Sequence, residues 1–206
     1  MLMLYLLRKH MMTKTNLMFC MLIALNLIGT SLMADGDIVR ILDESDLKRI
    51  ERYEVDREAQ MVSLRSSALR ESETSLLRLL SADPQSVVTQ FDPSGSWQCR
   101  FLKRNSNDGV SIYDWYSCRI YDDGLGWVLE KETGSERTRG RFYNFSDEQL
   151  LYLGAFHHAN QIPSWYGQHP ERNQIGFFYT IGGQTLRLEF LPPYDTEAIE
   201  VIELKR

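Results

Sequence analysis

The dipeptide Cys-Arg occurs twice between Trp97 and Tyr121, at Cys99-Arg100 and Cys118-Arg119, once on each side of Asp108-Gly109. Asp-Gly is a preferred two-residue hairpin loop, because the turn demands backbone angles that glycine adopts freely. Such a loop sets residues opposite each other when their numbers sum to 217, as those of Cys99 and Cys118 do. The register predicts a Cys99–Cys118 disulfide within an antiparallel hairpin, with the Cα atoms about 4.5 to 5.5 Å apart. Side chains alternate along a strand, so Trp97, Cys99 and Phe101 share an apolar face with Tyr116, Cys118 and Ile120. Closing a loop of about 20 residues stabilises a fold by roughly 3 kcal/mol, through restriction of the unfolded chain. A disulfide also implies an oxidising compartment.

From Asp92 onward the chain carries nineteen aromatic residues, the 23 of the whole chain less Tyr5, Phe19, Tyr53 and Phe91. Apolar runs with turn residues between them read as eight strands, near 97–104, 110–121, 125–132, 137–145, 149–157, 175–181, 184–191 and 199–206. Short connections make neighbours antiparallel. The expected fold is therefore mainly β with N-terminal α-helices, an eight-stranded meander closing into a barrel or a strongly curled sheet, with a two-layer β-sandwich as the alternative. About Gly182-Gly183, a two-residue loop sets Tyr179 opposite Leu186, Phe177 opposite Leu188 and Ile175 opposite Phe190, with Phe178, Arg187 and Glu189 on the other side. About Gly134-Ser135 it sets Trp127 opposite Phe142 on one face, and Glu132 opposite Arg137 and Glu130 opposite Arg139 on the other.

The segment 35–91 reads as two or three amphipathic helices that pack on the sheet. Leu47, Ile50, Met61, Leu64 and Ala68 recur at helical spacing, followed by Leu76, Leu77, Leu79 and Leu80; Asp43 or Ser45 is the cap and Asp83-Pro84 the stop. Before it, Arg8, Lys9 and Lys14 precede an apolar run that ends at Ala34, the pattern of a secretory signal peptide over 1–34, with Met1, Met11 or Met12 as the start. Cleavage there removes three of the 23 basic residues and no acidic one, so the charge goes from −5 to (23 − 3) − 28 = −8. An acidic surface of this kind argues against nucleic acid as a partner. The 92–206 segment is then an antiparallel β domain, periplasmic or secreted, with no membrane-spanning segment once the signal is removed.

The motifs of nucleophilic and metal hydrolysis, Gly-x-Ser-x-Gly and His-Glu-x-x-His, do not occur in the sequence, nor does a phosphate-binding glycine loop. No catalytic residue, metal ligand or cofactor is assigned. Adjacent residues of a strand point to opposite faces, so His157 and His158 do not share a ligand; His169 and Glu171 sit in the long connection. Arg137, Arg139 and Arg141 read as a cross-strand charge ladder with Glu130 and Glu132, in preference to an anion site. The connection 158–174 is long enough to act as a lid.

The motifs GSWQCR, YSCRI, EKETGSERTRGRFY, LYLGA and LPPY followed by IEVIELKR resemble an uncharacterised family of exported alphaproteobacterial proteins, a domain of unknown function. What the resemblance implies is an envelope protein; no activity comes with it. Gly95-Ser96-Trp97 is also similar to the Gly-x-Trp of the first lipocalin strand, which implies a barrel and a carrier of a small apolar ligand. The lipocalin Thr-Asp-x-x-Tyr signature is absent and the helices come first.

The expected function is an exported, non-catalytic binding or structural module of the cell envelope, its partner an envelope protein or a small ligand. The alternatives are a lipocalin-like carrier and a hydrolase with the 158–174 loop as lid. One face of the first hairpin sets Arg100, Leu102 and Arg104 beside Tyr113, Trp115, Ser117 and Arg119. The N-terminal helices are expected to cover it, with Glu51, Glu54, Asp56 and Glu58 pairing the arginines; left open, it makes Arg100, Trp115 and Arg119 a partner contact.

Overall fold

In the computed structural model, which describes residues 38–67, 70–87, 91–105, 109–192 and 198–206, Asp43 opens the helical segment. Its carboxylate accepts from the Asp46 N–H at 2.8 Å and from the Ser45 hydroxyl at 2.6 Å, which satisfies a donor the helix leaves orphaned and holds the Asp43 pKa below its ordinary value. Helix α1 runs Glu44–Ser67 and α2 runs Glu71–Leu80. The side chains α1 buries are Asp46, Tyr53, Met61 and Leu64, with Ile50 and Arg57 half-buried between them. The spacing of three and four is that of one helical face, but its middle is polar where the sequence pattern is apolar at either end. The leader read over 1–34 lies outside the described residues, as does Asp108.

Among the described residues nine strands follow: β1 Gly95–Asn105, β2 Gly109–Ile112, β3 Tyr116–Asp122, β4 Trp127–Lys131, β5 Glu136–Asn144, β6 Leu150–His158, β7 Asn173–Thr180, β8 Thr185–Phe190 and β9 Ile199–Lys205. All neighbours are antiparallel, and β1 pairs with β9 over seven positions, Gln98↔Lys205 to Arg104↔Ile199. That pairing closes eight strands into a barrel and leaves β2 as an extra strand beside the end of β1. Closure decides against the sandwich, and it removes the two exposed edges an open sheet would carry.

The expected strand 110–121 is two strands. Asn105 lies opposite Gly109, so the loop has three residues in place of two; the chain then breaks at Tyr113–Trp115 and re-enters with Trp97 opposite Cys118 and Cys99 opposite Tyr116. The cysteines are thus diagonal neighbours, not the directly opposite pair expected, with Cα atoms 5.8 Å apart at disulfide distance. A shift of two residues preserves the alternation, so Trp97, Cys99, Phe101, Cys118 and Ile120 all point into the barrel. The three-residue loop turns Val110 and Ile112 outward, against Leu102 and the helices, and the break restores the alternation for β3.

The loop between β7 and β8 is likewise one residue longer than expected. Gly176 lies opposite Phe190 and Tyr179 opposite Arg187, and Thr185 N–H donates to Gly182 O. A slip of one residue exchanges the two faces of a strand. Leu186 and Leu188 therefore enter the barrel with Phe178, while Arg187 and Glu189 point out with Phe177 and Tyr179, contrary to the sequence reading. The hairpin at Gly134 has the expected register, with Glu130 opposite Arg139.

Side chains fill the barrel. The Phe142 ring packs at a tilt against Phe178 at 4.4 Å and Tyr152 at 5.5 Å, and the Tyr152 hydroxyl meets Thr138 Oγ1 at 2.6 Å. Gly140 and Gly154 face each other across β5 and β6 because the Tyr152 ring lies over them; a Cβ on Gly140 would stand 2.5 Å from that ring. One end is sealed by apolar groups, with Phe91 edge-on to Trp127 at 5.5 Å. The other end is charged, and there Lys103 bridges Glu136 at 3.0 Å and Glu200 at 3.1 Å.

Both helices lie on the outside. Tyr53 and Ile38 cover Leu151, Leu153, Ile175 and Phe177, and Met61, Leu64, Leu76 and Leu79 cover Leu102, Ile199 and Val201. Each fully buried aliphatic side chain of this kind stabilises by roughly 1.5–3 kcal/mol, so the outer packing rivals the barrel interior in weight.

Candidate functional site

The register of β8 places Tyr179, Arg187 and Glu189 beneath α1, where all three are buried. Charged groups there need partners, because burying an unpaired charge costs several kcal/mol. Glu189 receives Arg57 in fork geometry at 2.9 and 3.2 Å and the Tyr53 hydroxyl at 3.0 Å. Arg187 Nε stands 2.7 Å from Glu189 Oε1, an ion-pair contact without hydrogen-bond alignment. Its Nη1 donates to the carbonyls of Leu79, Leu80 and Ala82 at the end of α2. Those carbonyls carry the negative end of the helix dipole, and a cation is the group they favour.

The hydroxyls form a directed chain. Gln149 Nε2 donates to the Tyr179 oxygen at 2.9 Å, and the carboxylate of Glu189 accepts from Tyr53. Tyr179 must then donate to Tyr53 across their 2.7 Å contact, since an amide nitrogen only donates and a carboxylate only accepts. Burial, and next the charge of Glu189, push the pKa of both tyrosines above the ordinary range. Every group in this network is engaged by another, so it is a clamp joining α1, α2, β7 and β8.

Beside the clamp opens a cleft of about 380 Å³, between α1 and the ends of β1, β8 and β9. Leu191, Pro192, Ile199 and Val201 give it an apolar floor, while Arg49, Arg52, Arg57 and Arg104 stand on its walls. Most of its charges are matched. Arg49 pairs with Asp46 at 2.9 Å, Arg52 with Asp56 at 3.0 Å, and Glu200 with Lys103. Arg104 instead donates to two hydroxyls, Ser63 Oγ at 3.1 Å and Ser67 Oγ at 3.4 Å.

Glu200 links the cleft to the charged end of the barrel, where Lys131 is buried. Its ammonium donates to the carbonyls of Thr133 at 2.8 Å and Glu136 at 2.6 Å and lies 4.1 Å from the Tyr116 ring centre. Burial, and next the charge of Arg137, lower its pKa to about 8 from the ordinary 10.5. Between these two values the unfolded chain holds a proton the folded chain has released, so stability rises with pH, by at most about 1.4 kcal/mol per unit. Below pH 8 both states are protonated and the penalty is constant. Urea unfolding at pH 8.0 to 10.5 is expected to show a shallower pH slope for Lys131→Met than for the native chain; equal slopes would show that Lys131 titrates alike in both states.

The residues singled out in the sequence lie in separate places. Arg100 pairs with Glu203 at 2.7 Å and stacks on Trp115 at 4.5 Å, with the Lys205 ammonium 3.9 Å from the same ring. Arg119 belongs to another group: it reaches Glu132 at 3.1 Å and Glu130 at 3.9 Å and lies over Tyr121. The helices cover only half of the face these residues were assigned to. Leu102 is buried under Met61 and Leu76, and Arg104 meets serines where acidic partners were expected. Of those acids, Asp56 turns to Arg52 and Glu58 to Arg65, while Glu51 and Glu54 are exposed.

Arg139 stacks on Trp165 at 4.1 Å and Arg141 grips Asp123 with two bonds, which hold that carboxyl at about 2. His157 is buried on the outer face of β6 and its pKa is lowered, by burial and next by Arg137; His158 faces the other way. The long connection carries Trp165 onto Arg139 and the Tyr166 hydroxyl onto Asp46, so it is tied to the wall of the barrel and does not line the cleft. The sequence reading missed Arg49, Arg57 and Ser63, and it placed Arg104 on the mixed face of the first hairpin with acidic partners in place of the serines it has. Its one usable signal was Arg57, four residues after Tyr53 on a face that must be buried.

The chain has no match among curated proteins. Residues 39–204 match the domain of unknown function DUF4893. The match takes in α1, α2 and the whole barrel but the last residue of β9, so the chain belongs to the DUF4893 family.

Proposed function

We propose that the protein is an exported, non-catalytic binding module of the bacterial cell envelope, periplasmic or secreted, whose ligand site is the cleft beside α1. The observation that carries the reading is the setting of that cleft. Small-molecule sites usually occupy roughly 300–1,000 Å³ with an apolar lining and a few convergent polar groups, and this one has both. The barrel interior is packed with Tyr152, Phe178, Phe142 and their neighbours, which favours the cleft over the interior as the place for a small ligand.

Export is supported by the sequence of 1–34 and by two core cysteines at disulfide distance, a pairing that suits an oxidising compartment. Among the described residues no helix is long and apolar enough to cross a membrane. A binding role is supported by the lining carboxylates, each of which is held by a cation and so poorly placed to take a proton from a substrate. Arg100 and Trp115, with Arg119 in a separate group, are the candidates for contact with an envelope protein.

Two measurements test the reading. N-terminal sequencing of fractionated cells is expected to find Asp35 in the periplasm; intact Met1 or Met12 in the cytosol would overturn export. A set of small probes of mixed charge is expected to shift the NMR signals of Ala59 and Ile199, which line the cleft. If no probe moves them, the cleft is not a binding site.

A further inference from the structure

Among the described residues the charges of the cleft are unbalanced, and the imbalance sits at Arg104. Four arginines and three acids of the described chain line it, and Asp46, just outside, supplies the carboxylate for Arg49. Arg52 has Asp56, Arg57 shares Glu189, and Glu200 is taken by Lys103 from the barrel end. Arg104 alone among the described lining cations has hydroxyls in place of a carboxylate. A guanidinium beside two serines is a fork of donors whose charge nothing described nearby cancels.

We infer that the cleft takes an amphipathic monoanion, a carboxylate head on an apolar body, with the head on Arg104 and Ser63; the inference rests on the cleft being the binding site. The head would accept two parallel bonds from the Arg104 guanidinium, the strongest geometry available to a carboxylate, and one from the Ser63 hydroxyl. The body would lie on the floor of Leu191, Pro192, Ile199 and Val201, away from water. The network around Glu189 borders this floor and keeps its shape, since Arg57 is held there at both ends, by Glu189 and by the Leu80 carbonyl at 2.6 Å. A cation of the same shape would meet Arg104 as a like charge, and a neutral body would leave the arginine without its anion.

The test compares octanoate, octanol and octylamine binding to the full chain by calorimetry, with the signals of Ala59 and Ile199 followed by NMR. Octanoate is expected to bind at least about tenfold more tightly than octanol, as a charge-assisted pair requires, and octylamine most weakly. In Arg104→Met the octanoate affinity should fall to that of octanol, and in Arg104→Lys part of the difference should return. Ser63→Ala, a milder change, should lose a few-fold for octanoate and nothing for octanol. Octanol binding as tightly as octanoate, or an octanoate affinity unmoved by Arg104→Met, would overturn the anionic ligand while leaving the cleft as the site. If none of the three moves Ala59 or Ile199, both the inference and the reading of the cleft fail.

Discussion

Glu189→Gln is expected to lower the unfolding free energy by about 3–5 kcal/mol, the cost of breaking a buried ion pair from one side. The glutamine keeps the shape but cancels the charge that holds two arginines. Arg57 and Arg187 approach the same carboxylate, at 2.9 and 2.7 Å, and Arg187 is 1% exposed. The loss spreads beyond the pair, because Arg187 also caps the end of α2 and Tyr53 donates its proton to Glu189. Urea denaturation monitored by tryptophan fluorescence measures it, with Arg52→Ala as the control. That exposed pair with Asp56 should be worth less than about 1 kcal/mol. A Glu189→Gln loss as small as the control's would show that the clamp does not hold the helices to the barrel.

Removing the disulfide is expected to cost about 3 kcal/mol by the chain-entropy argument, since 19 positions separate Cys99 from Cys118. Cys99→Ala/Cys118→Ala is the cleaner substitution, because both sulfurs lie in the apolar interior and serine would bury two hydroxyls there. The midpoint in urea should fall with the native fold retained, and reducing agent should lower that of the native chain by a similar amount. An unchanged midpoint under reduction would mean that the closed sheet already imposes the constraint. The position of the bond favours a real effect: it joins β1 and β3 beside the break at Tyr113–Trp115, where their ladder ends and β1 changes partner to β2.

Much of this fold is written locally. The strand runs, the antiparallel order and the inward face of Trp97, Cys99, Phe101, Cys118 and Ile120 follow from alternation and turn chemistry, which act over a few residues. So does the Asp43 cap. The register of the Gly134 hairpin was legible for the same reason, but the charge ladder expected on it does not form: Arg119 reaches across from β3 to take Glu130 and Glu132, Arg141 turns to Asp123, and Trp165 arrives from a distant loop to cover Arg139. The long-range decisions came from packing. Gly182-Gly183 accommodates a loop of two residues or of three, and β7, read as Ile-Gly-Phe-Phe-Tyr, is apolar on both faces, so neither turn nor strand declares a register. The barrel settles it by taking Leu186, Leu188 and Phe178, which sends Arg187 and Glu189 out to where α1 supplies Arg57 and Tyr53. The cleft and Arg104's place in it depend on that choice and on the closure of β1 with β9, contacts between residues about a hundred positions apart that no local pattern encodes.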